Sequence, residues 1–322
     1  MEGMPAILTL LLGLGLLVAG GELLVRGAVA AAIKARIAPL IVGLTVVSFG
    51  TSAPELFTSF SAALDGSAGI AVGNVVGSNI ANIALILGIT ALVKPVLVDR
   101  GVLNRDAPLM IAAGLAMWFF ARNGEISSAE GGWLLLAMCA FISVMIWTAK
   151  TDRKTDRKDA DQQADQDADQ QAYKPMRWIV GMISLGTVGL YFGSGWFVSG
   201  AKELAVLAGV SDRVIGLTVV AFGTSVPELV ASVIAAIRGH SDLALGNVVG
   251  SNLFNILLVL GATSVVLPLE VVPQILNTDL WWMIAISVAL VPLAWSKKIG
   301  RVKGGLLLAL YIGYIFTTWP SL

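Results

Sequence analysis

A 46-residue segment occurs twice in this chain, and this duplication constrains the fold more than any other feature. Residues 43–88 align without gaps on residues 216–261, at an offset of 173 positions, and 29 of the 46 paired residues are identical. A shared hydrophobic bias does not place proline, glutamate, asparagine and serine in register. The chain therefore consists of two related halves, and repeats of this kind are the first guide to the fold.

The composition indicates a membrane protein. The chain has 322 residues, of which 57% are hydrophobic and 13% are charged, whereas soluble domains carry about 25% charged residues. Its apolar residues come in blocks near the ~20 residues that cross a bilayer. Ten spans are predicted, near residues 5–31, 38–63, 70–92, 106–121, 131–148, 177–206, 213–237, 243–267, 279–295 and 304–319.

Each half holds five of these spans, and five is an odd number. The second half therefore enters the membrane from the opposite face, so the halves are inverted repeats. We predict an all-α membrane protein with ten transmembrane helices, arranged as a five-helix repeat over residues 1–150 and an inverted repeat over 177–322. Inverted repeats are typical of transporters, whose binding site lies at the midplane between the repeats.

Residues 151–176 form the only long polar segment, and it begins with a run of basic residues. It has almost no apolar residues to bury, so we expect a solvated linker. Most lysines and arginines of the other loops fall on the same side of the membrane as this linker. The positive-inside rule then makes the linker cytoplasmic and puts both termini outside. We expect a multi-pass protein of the plasma membrane, or of a bacterial or archaeal inner membrane.

Other function classes receive no support. The net charge is zero, so no overall field points to nucleic acid. The chain has one cysteine and one histidine, and no Ser/His, Ser/Lys or His-metal constellation lies within the spans. We therefore predict no enzyme and no cofactor. The expected partners are ions and the lipid bilayer, with the chain functional as a monomer.

The second span of each half contains a helix-breaking motif. The motif reads Gly-Thr-Ser-Ala-Pro-Glu at residues 50–55 and Gly-Thr-Ser-Val-Pro-Glu at 223–228. Proline lacks an N–H, so the carbonyl four residues earlier loses its helical partner. A freed carbonyl at membrane depth must be satisfied by protein, water or an ion. We expect each helix to bend or break here.

Each break carries a glutamate, Glu55 or Glu228. A carboxylate inside a bilayer is costly and usually faces a cavity or a partner. Hydroxyls lie about one turn earlier, at Thr51 and Ser52 in the first copy and at the equivalent positions in the second. Carboxylates, hydroxyls and freed carbonyls are hard oxygen donors, which suit Na⁺ and Ca²⁺.

A basic residue could instead neutralise these glutamates. Arg26 is the only basic residue well inside a span. Glu22 lies one turn earlier and is its natural partner. We predict a structural Glu22–Arg26 pair, which leaves Glu55 and Glu228 without a basic partner.

The next span of each half carries a polar stripe at four-residue spacing. It consists of Asn74, Ser78 and Asn82, and of Asn247, Ser251 and Asn255 in the second copy. Polar residues in membranes commonly form hydrogen bonds between helices. For Asn74 and Asn247 this reading and a ligand role stay open. For the two serines and for Asn82 and Asn255, a place in or near an ion site is favoured.

The duplicated motifs resemble the two α-repeats of the cation/Ca²⁺ antiporter superfamily. The matching residues are Gly-Leu-Thr-Val-Val-Ser-Phe-Gly-Thr-Ser-Ala-Pro-Glu and then Gly-Asn-Val-Val-Gly-Ser-Asn-Ile-Ala-Asn-Ile. The chain is most similar to the sodium/calcium exchanger group, in its short form. The resemblance implies four cation sites between the repeats, with Glu55 and Glu228 as the central Ca²⁺ ligands.

The resemblance also implies roles for the surrounding residues. Carbonyls of Thr51 and Thr224 would complete the Ca²⁺ shell, and Asn82 and Asn255 would border the central position. The Na⁺ ligands would be the side chains of Thr51, Ser52, Ser78, Thr224, Ser225 and Ser251 and the carbonyls of Ser48 and Ala221.

We therefore predict a Na⁺/Ca²⁺ antiporter that works by alternating access. The same two carboxylates serve either one Ca²⁺ or several Na⁺, and each load must favour a conformation that switches sides. The long, glycine-rich spans 5–31 and 177–206 are expected to slide across the rest.

Alternatives are the same fold coupled to H⁺ or K⁺, or a passive cation channel. Members of the potassium-dependent branch resemble this motif but carry Asp in place of Asn255, which disfavours K⁺ coupling. The proton-coupled branch has an Asn-Ala-Glu motif in place of Thr-Ser-x-Pro-Glu, which disfavours H⁺.

Overall fold

The structure, a computed structural model, describes residues 5–155, 175–208 and 221–318, and these parts are almost entirely helical. The helices of the first half are α1 (Ala6–Ala35), α2 (Pro39–Thr51), α3 (Ala53–Leu64), α4 (Ala68–Val93), α5 (102–121) and α6 (Ser128–Thr155). Those of the second half are α7 (Met176–Leu207), α8 (Ala221–Gly223), α9 (Val226–Ile237), α10 (Ser241–Val266), α11 (Ile275–Ala294) and α12 (Arg301–Thr318).

Several of these helices are long and apolar enough to cross a membrane. In the described part of the chain there are six, located in α1, α4, α6, α7, α10 and α11. The pair α2 and α3 makes a seventh if it is counted as one span, bent by 43°. A membrane protein with several spans is thus confirmed, and the number ten stays a prediction. The predicted seventh span, 213–237, lies partly outside the described residues.

Four two-residue strands, which the sequence did not predict, pair between the loops of this mostly helical protein. β1 (Val96–Leu97) pairs antiparallel with β4 (Lys298–Ile299), and β2 (Glu125–Ile126) pairs with β3 (Leu269–Glu270). Each ribbon takes one strand from each half of the chain. Adding 173 to the residue numbers of β1 and β2 gives those of β3 and β4, so the two ribbons are equivalent.

Helical structure extends into the first residues of the predicted polar linker. Helix α6 continues through Thr155, and α7 begins at Met176. The basic residues that follow the apolar part of α6 are good helix formers, and positive charge is favourable at a helix C-terminus. Residues 156–174 of the predicted linker lie outside the described residues.

Helices α4 and α10 form the centre of the molecule. In their most apolar windows, 78% of the residues of α4 and 94% of those of α10 are buried. Such burial all round a helix is typical of a core position. The two helices that carry the polar stripes are therefore enclosed by the other helices.

Helices α1 and α7 pack tightly on each other through glycines. A Cβ atom added to Gly20 would lie 2.7 Å from the Leu190 nitrogen, and one added to Gly193 would lie 2.8 Å from the Leu17 nitrogen. Small residues allow the backbones of membrane helices to approach closely. Together α1 and α7 form one pair of helices, which we call the outer pair.

Candidate ion-binding site

The first repeated motif breaks its helix as predicted. Helix α2 ends at Thr51, and α3 begins at Ala53 with Pro54 in its first turn. Ser52 between them has φ −83° and ψ 4°, outside the helical range. Glu55 therefore lies in the first turn of α3, where a helix dipole favours negative charge.

The second motif repeats this arrangement. Helix α8 ends at Gly223, and α9 begins at Val226 with Glu228 in its first turn. The Gly223 carbonyl accepts a hydrogen bond of 2.5 Å from the Ser194 hydroxyl of α7. One of the two freed carbonyls is therefore satisfied by protein, from a helix that the sequence did not suggest.

The two breaks meet inside the molecule, and each half supplies a hydroxyl to the glutamate of the other. Ser52 Oγ donates to Glu228 Oε1 at 3.2 Å, and Ser225 Oγ donates to Glu55 Oε1 at 3.5 Å. Both glutamates are fully buried. Within the described residues, the second carboxylate oxygen of each, Oε2, has no hydrogen-bond partner.

No basic side chain of the described residues forms an ion pair with either glutamate. The ion pairs present there are Glu22–Arg26, Glu22–Arg238 and Arg105–Asp106. The predicted Glu22–Arg26 pair is confirmed, with Nε and Oε1 2.5 Å apart. Arg238 as a second partner of Glu22 was not predicted.

Asn74 and Asn247 hold the breaks in position. Asn74 Nδ2 donates to the Glu55 carbonyl at 3.3 Å and to Ser59 Oγ at 2.9 Å. Asn247 Nδ2 does the same with the Glu228 carbonyl at 3.3 Å and Ser232 Oγ at 2.9 Å. The side-chain amides of Asn74 and Asn247 thus form hydrogen bonds between helices. The partner serines lie one turn after each glutamate, and their repetition at the offset of 173 was a signal that the sequence analysis missed.

The threonines link each break to the other half. Thr51 Oγ1 donates to Asn247 Oδ1 at 3.1 Å, and Thr224 Oγ1 donates to Asn74 Oδ1 at 3.4 Å. The threonine contacts are equivalent under the offset. Thr51 and Thr224 are therefore positioned by the same asparagines that hold the backbones of the glutamates.

The predicted serines lie around the same centre. Ser78 Oγ is 3.2 Å from Ser225 Oγ, and Ser251 Oγ is 3.4 Å from Thr51 Oγ1. Ser48 lies one turn before the first break, and its hydroxyl donates to the Gly43 carbonyl at 2.7 Å and lies 3.1 Å from the Asn247 carbonyl. The structure therefore brings the side chains of these serines together.

Ala221, predicted to offer a carbonyl, is the first residue of α8. It lies at the edge of the described part of the chain. Its place before the second break corresponds to that of Ser48 before the first.

Asn82 and Asn255 lie at π-helical turns, over residues 81–86 of α4 and 255–260 of α10. Such turns are frequent at functional sites. Asn82 Nδ2 donates to Asn252 Oδ1 at 3.0 Å. Within the described residues, Asn82 Oδ1 and both polar atoms of Asn255 have no partner, although both side chains are fully buried.

The donor set of the site consists of two carboxylates and neutral oxygens. The described residues contain no group of three or more His, Cys, Asp or Glu side chains that could hold a metal ion. Oxygen-only sites of this kind suit Ca²⁺ and Na⁺. The oxygens of Glu55, Glu228, Asn82 and Asn255 that have no partner among the described residues fit such a cation, because buried charges and buried polar atoms need partners.

The outer pair contacts the rest of the molecule differently at its two ends. A Cβ atom added to Gly21 of α1 would lie 2.9 Å from side chains of both Val230 and Ile234 on α9. At the other end a cleft of about 440 Å³ separates α7 from α3 and the start of α4. It is lined by Phe57, Thr58, Ser61, Ala62, Asp65, Ser67, Ile70 and Tyr191. Asp65 and Arg238 are equivalent under the offset, so one end is closed by an ion pair where the other has a cleft.

Comparison with known proteins agrees with this arrangement. A profile of the sodium/calcium exchanger protein family matches residues 5–147 and 178–319. The chain is 38% identical over 320 residues to the protein CaxA of Alkalimonas amylolytica, which covers 98% of this chain and 99% of that protein. It is 36% identical over 338 aligned positions to the sodium/calcium exchanger MaX1 of Methanosarcina acetivorans, with coverage of 96% and 97%.

A solved structure gives the same result. The sodium-calcium exchanger NCX_Mj, soaked with 2.5 mM Na⁺ and 0.1 mM Ca²⁺, matches with a TM-score of 0.81 and 33% identity. The match covers 97% of this chain and 98% of that one. The fold and these relatives thus define a membrane antiporter. The chain belongs to the sodium/calcium exchanger protein family.

Proposed function

We propose that this protein exchanges Na⁺ for Ca²⁺ across the membrane at a single midplane site. The observation that carries the proposal is the meeting of Glu55 and Glu228. Both are buried, each accepts a hydrogen bond from a hydroxyl of the opposite half, and neither has a basic partner among the described residues. Two carboxylates neutralise one Ca²⁺, and hydroxyl and amide oxygens around them suit Na⁺. The printed names of the relatives MaX1 and NCX_Mj support the same pair of ions.

The proposed ligand set keeps the roles implied by the family. Glu55 and Glu228 bind Ca²⁺ together with the carbonyls of Thr51 and Thr224, and Asn82 and Asn255 border the centre. The Na⁺ ions use oxygens of Thr51, Ser52, Ser78, Thr224, Ser225, Ser251, Ser48 and Ala221. The proximity of the serine and threonine side chains to the two glutamates supports this set.

We further propose ten spans in two inverted repeats, with both termini outside, a cytoplasmic linker and a monomeric working unit. The equivalence of the two loop ribbons under the offset of 173 supports the repeats. In this orientation the cleft beside Tyr191 opens to the outside, and the Glu22–Arg238 pair closes the cytoplasmic end. The structure then represents an outward-open state, and access alternates when the outer pair slides.

The test is a flux measurement in vesicles that contain the purified protein. Ca²⁺ uptake driven by an outward Na⁺ gradient, insensitive to K⁺ and to uncouplers, is the expected result. Uptake without any dependence on Na⁺ would overturn the proposal. Dependence on K⁺ or on a proton gradient would favour the same fold with another coupling ion. Failure to move Ca²⁺ against its own gradient would favour a passive channel, the alternative from a different class.

A further inference from the structure

Two methionines contact Asn79 and Asn252, two asparagines that are not among the predicted ion ligands. Asn252 Nδ2 donates to Met110 Sδ at 3.4 Å, and Asn79 Nδ2 donates to Met283 Sδ at 3.5 Å. Met110 in α5 and Met283 in α11 are equivalent under the offset of 173. Both are almost fully buried, with 1% and 2% of their surface exposed. The same contact therefore occurs twice, in a region that the ion site does not include.

A thioether is a weak hydrogen-bond acceptor, and here Met110 Sδ shares the NH₂ group of Asn252 with the Asn79 carbonyl, which accepts from Asn252 Nδ2 at 3.3 Å. When the NH₂ group of an asparagine faces sulfur, its oxygen must face elsewhere. Asn252 Oδ1 in turn accepts a bond of 3.0 Å from Asn82 Nδ2. The NH₂ group of Asn82 is thus fixed by Asn252, and its oxygen, Oδ1, is left without a partner among the described residues.

The equivalent series of side-chain hydrogen bonds, which begins at Met283, ends at Asn79 in the described part of the chain. Asn79 Nδ2 is held by Met283, but within the described parts of the chain Asn79 Oδ1 and Asn255 Nδ2 both lack partners. The link from Asn255 to Asn79, which would mirror the Asn82–Asn252 bond, is therefore not made. Among the described residues, a series of side-chain hydrogen bonds therefore reaches an asparagine of the proposed site from Met110 and not from Met283.

We propose that Met110 is a positioning residue for the ion site, acting through Asn252 on Asn82. This inference rests on the proposed function, because it assumes that Asn82 borders the bound cation. Groups that orient the ligands of a metal commonly change its affinity by about 10- to 100-fold when they are mutated. Met110 orients by accepting a hydrogen bond and does not touch the ion.

Three variants separate this role from simple packing. Met110→Leu keeps the volume but removes the acceptor, a swap that cores tolerate well. Met110→Gln keeps a similar length and offers an amide oxygen as acceptor. Met283→Leu is the matched control, because it removes the same kind of contact at the equivalent position, where no side-chain hydrogen bond among the described residues leads on from Asn79 to Asn255.

The measurement is Ca²⁺ binding to the purified full chain by isothermal titration calorimetry, with Na⁺-driven flux measured on the same preparations. We expect Met110→Leu to raise the Kd for Ca²⁺ about tenfold. Met110→Gln should lie closer to the wild type, and Met283→Leu should equal it. All three variants should elute as single species in size-exclusion chromatography.

Each other result overturns the inference. An unchanged Kd for Met110→Leu, or an equal effect of Met283→Leu, would remove the onward link. A glutamine variant that binds worse than the leucine variant would show that Met110 acts by packing. If the wild type bound no Ca²⁺, both this inference and the proposed function would fail. If the wild type exchanges ions and Met110→Leu binds normally, only the inference fails.

Discussion

Glu55 and Glu228 each depend on the half of the chain to which they do not belong. Their hydroxyl donors, Ser225 and Ser52, cross between the halves. The backbone of each glutamate is held within its own half by Asn74 or Asn247. Each glutamate therefore has its backbone held by its own half and its carboxylate bonded to the other half, so an ion bound between the carboxylates would contact both halves.

Removal of either charge should abolish Ca²⁺ exchange. The variants Glu55→Gln and Glu228→Gln keep the shape and leave one buried carboxylate. Breaking a buried charge arrangement costs about 3 kcal/mol or more, and each 1.4 kcal/mol is about a tenfold change. We expect Na⁺-driven Ca²⁺ uptake in vesicles to fall by about 100-fold or more.

The control for these variants is Asp65→Asn, which removes an exposed carboxylate at the cleft. It should keep most of the uptake. All three proteins should be folded, as judged by a single peak in size-exclusion chromatography. Near-normal exchange in either glutamine variant would refute the assignment of the site.

At the scale of elements, the outer pair depends on the absence of side chains at its contact. The Cβ atom of any larger residue at Gly20 would meet the backbone of α7 at Leu190. Gly15 lies on the same helix, and a Cβ atom added to it would have nothing within 4 Å. Both positions are glycines of α1, but a side chain at Gly20 would meet α7, whereas one at Gly15 would meet open space.

Gly20→Val should destabilise the protein and Gly15→Val should not. Inserting carbons into a packed contact costs about 1 to 3 kcal/mol. The loss should appear as a lower Tm of the detergent-solubilised protein, with the Gly15 variant close to the wild type. An equal Tm for both variants would mean that α1 and α7 are not in close contact.

The sequence predicted the breaks in the helices and the meeting of the glutamates, because proline acts locally and the repeat placed the two motifs opposite each other. It did not predict the ribbons, since two-residue strands have no alternation and depend on a partner far along the chain. Nor did it predict that the Asn82 side chain is bonded while that of Asn255 has no partner among the described residues. Two repeats that share 29 of 46 residues give a symmetric expectation, whereas a single conformation of an inverted repeat is asymmetric.

At the scale of the whole molecule, this asymmetry makes the surroundings of the outer pair more exposed at one end than at the other. The cleft side exposes Ala62 as part of its lining, whereas the equivalent residue in the second half, Ala235, is buried. The chain has one native cysteine, Cys139. Replacing it leaves a background in which new cysteines report which end is open.

In a Cys139→Ala background, Ala62→Cys should react with a membrane-impermeant thiol reagent added outside. Ala235→Cys should react much more slowly when the same reagent is added to the cytoplasmic side. Labelling is read by mass shift in right-side-out and inverted vesicles. The reverse pattern would mean that the orientation, or the access state, is the opposite of the one proposed.

The ion pair between Glu22 and Arg238 should hold the cytoplasmic end closed. Adding Glu22→Gln to the Ala235→Cys protein should increase labelling from the cytoplasmic side by about two- to fivefold, since exposed ion pairs contribute up to about 1 kcal/mol. Arg26→Gln is the matched control, because it removes the other partner of Glu22 and leaves the contact with α9. Equal labelling in both variants would show that the pair has no such role.

The exchange of hydroxyls between halves also has a consequence for biosynthesis. Ser225 lies 170 residues after Glu55 in the sequence. At translation rates of about 5 to 20 residues per second, the ribosome needs roughly 10 to 30 s to cover that distance. During this interval Glu55 lacks the hydroxyl that Ser225 donates to it in the folded protein. The first half can therefore complete its polar site only after the second half has been synthesised.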